Sequence, residues 1–255
     1  MIRFEHVTKT FGNGKRVLDD VSFEIAKGEI FTIVGPSGTG KSVTLKHMIR
    51  LLTPTSGRVT VGGECVSEAT GKALSRIRSR FGYLFQSGAL LAWMDVADNV
   101  ALPLREKTNL TEGEIARRVD AALDAVGLAG EGASMPSDLS GGMQKRAGLA
   151  RAIVTEPEIV LYDEPTSGLD PVTSRRIDEL VSDLSSRLGI TSVVVTHDLH
   201  SALSISDRIA MLGGGKVLAI EPPASFIRST IPQARAFLDA QYVTRRGAWE
   251  KTTEE

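Results

Sequence analysis

The chain has 255 residues, 42% hydrophobic and 24% charged, a balance that suits a folded protein and excludes a mostly disordered one. Lys and Arg number 30 against 31 Asp and Glu, a net charge of −1, so the basic footprint of a nucleic-acid binder is absent and no nucleic-acid partner is expected. A single cysteine, Cys65, excludes an intramolecular disulfide framework, and with four His it offers no clustering of metal ligands. The longest apolar runs, such as residues 30–34 and 159–162, fall far short of the ~20 residues of a spanning helix. The start, Met1-Ile2-Arg3-Phe4-Glu5, lacks the apolar stretch of a secretory signal. A soluble, cytoplasmic chain is expected, with any membrane work done through a partner.

Residues 2–7, 21–25 and 29–34 read as short strands, separated by the turn signals Gly12-Asn13-Gly14 and Lys27-Gly28. Directly after Val34 comes Gly35-Pro36-Ser37-Gly38-Thr39-Gly40-Lys41-Ser42, then Leu45, Met48, Ile49 and Leu52 at helical spacing, closed by Thr53-Pro54. Residues 57–66 form a hairpin around Gly62-Gly63, and residues 81–85 a short strand that ends at Gln86. From 87 to about 151 the character turns helical, with patterns at 95–103, 111–126 and 142–153. Because strands resume afterwards, this stretch is an insertion rather than a separate domain. Residues 159–162 and 191–196 are the continuous apolar or β-branched runs of buried parallel strands, and the helix at 172–188 between them gives the β-α-β alternation of an α/β fold. Residues 208–212 and 216–220 flank Gly213-Gly214-Gly215 as a terminal hairpin. A last helix is expected at 233–241, and the tail at 243–255 is polar apart from Trp249.

Residues 35–42 fit the G-x-x-x-x-G-K-[ST] pattern completely. Its glycines let backbone N–H groups converge on phosphate oxygens, and the following helix aims its positive end at them. Lys41 is then the mobile cation for the β- and γ-phosphates, and Ser42 offers a hydroxyl to Mg²⁺. The competing reading, a glycine-rich turn, does not account for the strand before it and the helix after it. The strand at 159–162 ends in Asp163-Glu164, which supplies a carboxylate for Mg²⁺ and a neighbouring general base for an attacking water. Read alone, that pair could be a strand end meeting a turn. Ser140 is a good helix N-cap followed by Gly141 and Gly142. Two glycines there expose donors for an anion, a second cradle that makes sense over a nucleotide held by another copy; an ordinary capped helix start is the alternative.

With these residues in this order, the sequence resembles the nucleotide-binding subunits of ABC transporters, whose Leu-Ser-Gly-Gly-Gln signature corresponds to Leu139-Ser140-Gly141-Gly142-Met143. The resemblance covers about residues 1–220. It implies that Phe11 stacks on adenine, that Val43 joins residues 35–42 at the phosphates, and that Gln86 is a Q-loop ligand of Mg²⁺. It further implies that Ser167-Gly168-Leu169-Asp170 is a D-loop, with Asp170 positioning one subunit beside the other, and that His197 is the switch histidine. Alone, His197 after Val193-Val194-Val195-Thr196 would read as a packing histidine. His6, His47 and His200 match no such position. Met143 replaces the usual Gln, Val43 a common Thr and Phe11 a commoner Tyr; none of these should abolish hydrolysis, since backbone donors, Lys41 and Asp163-Glu164 remain. The runs Gln86-Ser87-Gly88-Ala89-Leu90, Asp98-Asn99-Val100-Ala101-Leu102-Pro103-Leu104-Arg105, Lys145-Arg146-Ala147 and Ala236-Phe237-Leu238-Asp239 are similar to the ATPases of Mla- and Mce-type lipid transporters, which work with MCE proteins.

The expected fold is an α/β P-loop core with an N-terminal antiparallel β subdomain and an inserted helical subdomain at about 87–151, residues 1–241 forming one ATP-binding domain. Lys41, Glu164 and His197 are the expected catalytic residues, with ATP and Mg²⁺ bound and Ser140, Gly141 and Gly142 acting in trans. The resemblance implies a homodimer, a membrane permease, an MCE-domain lipid-binding protein and room for a small regulatory subunit, at the cytoplasmic face of the inner membrane. Residues 242–255 are expected to dock on the neighbouring subunit through Trp249. Alternatives are the ATPase of a different importer or exporter, a non-transport ABC ATPase acting on a soluble assembly, or a non-catalytic binding module. Against the second stand the lack of room for a long coiled-coil insertion and the single P-loop; against the third, the intact Lys41, Glu164 and His197.

Overall fold

A computed structural model of the chain describes residues 1–241, so the expected docking of residues 242–255 through Trp249 lies outside the described residues. In chain order the elements are β1 (Ile2–Thr10), β2 (Arg16–Ile25), β3 (Ile30–Val34), α1 (Lys41–Met48), β4 (Ser56–Val61), β5 (Glu64–Cys65), α2 (Gly71–Ser79), β6 (Phe81–Leu84), α3 (Val96–Lys107) and α4 (Glu112–Ala125). There follow a 3₁₀ turn (Pro136–Asp138), α5 (Gly141–Ile153), β7 (Ile159–Asp163), α6 (Pro171–Leu188), β8 (Thr191–Thr196), α7 (Leu199–Ile205), β9 (Arg208–Gly213), β10 (Lys216–Glu221), α8 (Pro223–Phe226) and α9 (Pro232–Ala240).

Among the described residues, β2-β1-β4-β5 make an antiparallel sheet, and β10-β9-β3-β8-β7-β6 make a second sheet that is parallel except for the edge strand β10. Side chains alternate across a strand, so the parallel strands feed two cores. Ile159, Leu161, Val193 and Val195 join the core beneath the antiparallel sheet, where Phe4, Phe23 and Phe31 stack with centroids 4.5 and 5.5 Å apart. Val160, Tyr162 and Val194 face the other way, into a core shared with α3, α4, α5 and α6. Burial on both faces is why these strands are apolar without alternation.

The helical insertion starts from a well-held segment. Buried Asn99 accepts the Leu91 N–H at 2.7 Å and donates to the carbonyls of Leu91, Met94 and Asp95. Arg151 donates to the Gly88 and Ala89 carbonyls, both at 2.7 Å, so the stretch after Gln86 is tied to α3 and α5. Asp95 caps α3, and Thr111 with Glu114 forms a capping box on α4.

Several expected boundaries move. The helix expected to stop at residue 103 runs through Pro103 to Lys107, because the fully buried Leu104 beyond the proline holds the last turn on the core. The strands at 2–7 and 21–25 extend to Ile2–Thr10 and Arg16–Ile25; positive φ at His6 and Asp20 (51° and 56°) and register shifts disturb the alternation that marks a strand. Helices α2, α7 and α8 were not expected. Among these, α2 buries only Ile77, and α7 and α8 span seven and four residues, too short to show a helical period.

Helices α6 and α7 meet at a buried carboxylate. Asp178 accepts from Ser201 Oγ at 2.8 Å and has Arg175 at 3.4 Å, with Asp198 nearby. Burial pushes its pKa up to about 6, against the opposing pull of the Ser201 bond and Arg175. The folded protein therefore holds this proton more tightly than the unfolded chain, so stability from Asp178 is full below the unfolded carboxylate range and is lost as pH rises through about 6. Asp178→Asn keeps an acceptor for Ser201 and removes the titration. Measured by denaturant unfolding, wild type should gain about 1–2 kcal/mol relative to this variant between pH 7.5 and pH 5. Parallel stability curves for the two proteins would overturn the assignment.

Candidate active site

Sheet order brings three loops together. Strand β8 lies between β3 and β7, in a register that pairs Val34 with Thr196 and Asp163 with Val195. All three strands run the same way, so the loops that follow them leave from one edge, where α/β sheets place their ligands. Residues 35–42, Glu164 and His197 follow directly.

The loop after β3 folds tightly. Gly35 has φ 149°, and a Cβ there would collide with the Leu212 carbonyl; at Gly40, with φ 100°, a Cβ would lie 2.7 Å from Leu18 Cδ2. Only glycine fits either backbone position. Lys41 opens α1, is 7% exposed, and donates from Nζ to the Gly35 and Pro36 carbonyls at 2.8 and 3.2 Å. Burial lowers the Lys41 pKa, and nearby Glu164 and Asp163 counter that effect. Ser42 Oγ donates to Asp163 Oδ1 at 2.7 Å.

Glu164 is the most constrained residue of the site. Its φ is +52°, a left-handed conformation that costs a non-glycine residue about 1–3 kcal/mol. Contacts of both its backbone and its carboxylate hold it there. Its N–H donates to the Val195 carbonyl at 2.8 Å, and its own carbonyl accepts from Lys145 Nζ at 3.1 Å. One carboxylate oxygen lies 3.8 Å from Lys41 Nζ, and the other is 2.7 Å from His197 Nδ1. An ionised carboxylate only accepts, so Nδ1 carries the proton in this pair and Nε2 is left for another partner. Ser37, Gly38, Gly40, Lys41, Ser42, Val43, Gln86, Glu164 and His197, together with Lys15 and Val17, wall a cleft of about 440 Å³.

A family model described as ABC transporter matches residues 18–167. The chain belongs to this family. It is 41% identical over 253 residues to a Mycobacterium leprae protein named probable ribonucleotide transport ATP-binding protein mkl, covering 99% of this chain and 73% of that protein. It is 41% identical over 239 residues to the Escherichia coli K12 intermembrane phospholipid transport system ATP-binding protein MlaF, covering 94% and 88%. A dimeric, post-hydrolysis structure of the ATP-binding cassette MJ0796 bound to ADP and Pi matches with a TM-score of 0.80 at 34% identity, over 88% of this chain and 99% of that one. The fold is that of a P-loop ABC ATPase, and the chain is an ATPase whose hydrolysis is coupled to transport.

In this ABC ATPase not every expected residue lies on the cleft. Phe11 stands outside its walls, 36% exposed, with Lys9 Nζ 5.3 Å from its ring centre. Pro36 and Thr39 line a neighbouring recess with Met211, Leu218 and Phe237. Ser140, Gly141 and Gly142 are also outside the cleft, at the N-terminus of α5, where Ser140 Oγ accepts the Met143 N–H at 3.3 Å. Met143 itself packs against the core shared with the helical insertion. Asp170 accepts the Val172 and Thr173 N–H groups at 2.9 and 3.0 Å, and these bonds, the Thr173 hydroxyl's first, hold its carboxyl below the usual range. A cap of α6 is thus its visible structural work.

Sequence reasoning missed three neighbours of the site. Tyr83 OH donates to Asp163 Oδ2 at 3.1 Å, and burial, then Asp163, push the phenol pKa up. Lys145 is buried on α5, where burial lowers its pKa, and it ties that helix to the Glu164 carbonyl. Lys15 brings a cation to the cleft from the turn before β2. A lysine among the small residues of Gly141–Ile153 was the one readable signal.

The donor set suits Mg²⁺. Ser42 and Asp163 offer two hard oxygens already in contact, and Mg²⁺ takes one or two protein oxygens and fills the rest with waters and phosphates. No larger cage is needed, and among the described residues no group of three or more His, Cys, Asp or Glu gathers. No helix among them is long and apolar enough to cross a membrane.

Proposed function

We propose that the chain is the ATP-hydrolysing subunit of a lipid transporter, working as a homodimer closed around two MgATP. The observation that carries the dimeric part of this reading is the division of the site: Lys41, Ser42, Gln86, Glu164 and His197 wall one cleft, while Ser140, Gly141 and Gly142 lie outside it. A second copy can bring those signature donors over the nucleotide. Residues 1–241 then form one ATP-binding unit, with residues 87–151 as its helical subdomain.

In this reading the backbone N–H groups of residues 35–42 and Lys41 hold the phosphates, with Val43 at the loop's end and Phe11 against adenine. Ser42, Asp163 and Gln86 would hold Mg²⁺, which when bound would offset the negative charge of the phosphates. Glu164 takes a proton from the attacking water as its oxygen bonds to the γ-phosphorus and the bond to the ADP oxygen breaks. His197, hydrogen-bonded to Glu164, offers its second nitrogen to the γ-phosphate. Asp170 positions the loop at the subunit boundary. Because the closed dimer touches ATP from both chains, ATP favours closure, and loss of the γ-phosphate releases it.

A recess of about 330 Å³ beside the Gln86 segment, lined by Ile49, Leu51, Phe85, Pro103 and Lys107, suits a helix from a membrane permease. Leu51 and Phe85 are exposed there without an apolar neighbour to cover them fully. In this reading the chain works peripherally, at the cytoplasmic face of the inner membrane. The name of the Escherichia coli relative supports phospholipid as cargo, whereas the Mycobacterium leprae name points to ribonucleotides; in the lipid reading the partner is an MCE-domain protein. Purification of the chain from its native membrane, with identification of what co-elutes, separates these: a permease with an MCE-domain protein is expected. A permease without one would overturn the lipid assignment, and recovery with no integral-membrane partner would overturn transport by this complex.

A further inference from the structure

Gln241, the residue after α9, brackets the backbone that carries the switch histidine. Its Nε2 donates to the His197 carbonyl at 2.6 Å, and its Oε1 accepts the Leu199 N–H at 2.8 Å. Those are the C=O and N–H that flank Asp198, the pair a neighbouring parallel strand would engage. The side-chain amide thus continues the ladder one step beyond the end of β8. Its support is rigid: Ala234 and Leu238 of α9 are fully buried in a cluster with Val34, Leu199 and Ala202.

A helix-capping role explains only half of this. Asp198 accepts the His200 and Ser201 N–H groups, and Gln241 accepts the remaining one of that first turn, from Leu199. The bond to the His197 carbonyl caps nothing. It fixes the peptide from which the imidazole reaches Glu164 at 2.7 Å. Gln241 is also absent from the walls of the nucleotide cleft, and lines instead the adjoining recess with Thr166, Ser167, Gly168 and Leu169, which His197 shares.

We propose that Gln241 is a positioning residue for ATP hydrolysis, locking the His197 peptide so that the imidazole stays on Glu164. The inference rests on the reading above that His197 acts at the γ-phosphate. It predicts an effect on turnover with none on nucleotide binding, because the amide touches the histidine's backbone and not the cleft.

The test uses the full chain, with steady-state ATPase kinetics and thermal unfolding. Gln241→Glu retains an acceptor for Leu199 and loses the donor to His197; Gln241→Met loses both. Each should lower kcat about tenfold while KM for MgATP stays within about twofold. The Glu variant should unfold within about 2 °C of wild type. Added to His197→Ala, either change should have no further effect on kcat, since both act through one group. Wild-type kcat in both variants, a rise in KM alone, or an undiminished further loss in the His197→Ala background would each overturn the proposal. If His197→Ala itself turns over at the wild-type rate, the reading of His197 falls and the inference with it. If only the Gln241 variants are silent, the histidine keeps its role and Gln241 loses its own.

Discussion

Glu164→Gln is expected to slow ATP hydrolysis about 10²–10⁴-fold while MgATP still binds. The amide has the shape of the carboxylate and can keep a hydrogen bond to His197, now 2.7 Å from the carboxylate. It can also occupy the same left-handed backbone position, because the contacts of the Glu164 peptide with Val195 and Lys145 do not depend on the carboxylate and remain. What it cannot do is accept a proton from water. The variant should therefore stop after nucleotide binding and accumulate as an ATP-dependent dimer. Steady-state phosphate release and size measurement with and without MgATP would show this. A protein that stays monomeric at saturating MgATP with its permease present would overturn closure around shared nucleotide, and wild-type turnover would remove Glu164 from the role of base.

Lys41→Ala should weaken MgATP binding by about 1.5–3 kcal/mol, roughly 10–100-fold in affinity, and nearly abolish hydrolysis. In the structure, Nζ is held by the Gly35 and Pro36 carbonyls with Glu164 at 3.8 Å. That placement keeps the cation desolvated, and a phosphate entering the cleft meets a charge that water has not screened. The further loss in the transition state arises because negative charge is then spread over the transferring oxygens, where Lys41 can follow it. Titration of a fluorescent nucleotide, together with ATPase assays on protein whose unfolding midpoint has been checked, measures both. Wild-type rates in the folded variant would sink the assignment.

The chemistry of this protein is legible in its sequence because phosphate binding is local. Residues 35–42 bring backbone donors, a lysine and a hydroxyl to one point using eight consecutive positions, and the strand before and helix after them are readable from the same stretch. Asp163-Glu164 follows an apolar run whose length marks a buried strand and gains its meaning from residues 35–42, whereas His197, which alone reads as a packing histidine, was assigned by the resemblance. Periodicity also announced α4, α5 and α6, which carry long amphipathic or buried faces.

What the tertiary structure decided is everything that depends on which strands are neighbours. The order of β3, β8 and β7 puts Ser42 on Asp163, 121 residues away, and nothing in either segment states that adjacency. The same holds for Tyr83 on Asp163, Lys145 on the Glu164 carbonyl and Gln241 on the His197 peptide, all contacts of ordinary polar residues whose types carry no signal until packing selects them. Phe11 and Asp170 show the converse. The resemblance assigned them by position, whereas in the fold Phe11 stands outside the walls of the cleft and Asp170 caps α6. Hydrophobic pattern and backbone chemistry are written residue by residue; the meeting of distant polar groups is set by the burial of the strands between them, and only the folded chain contains it.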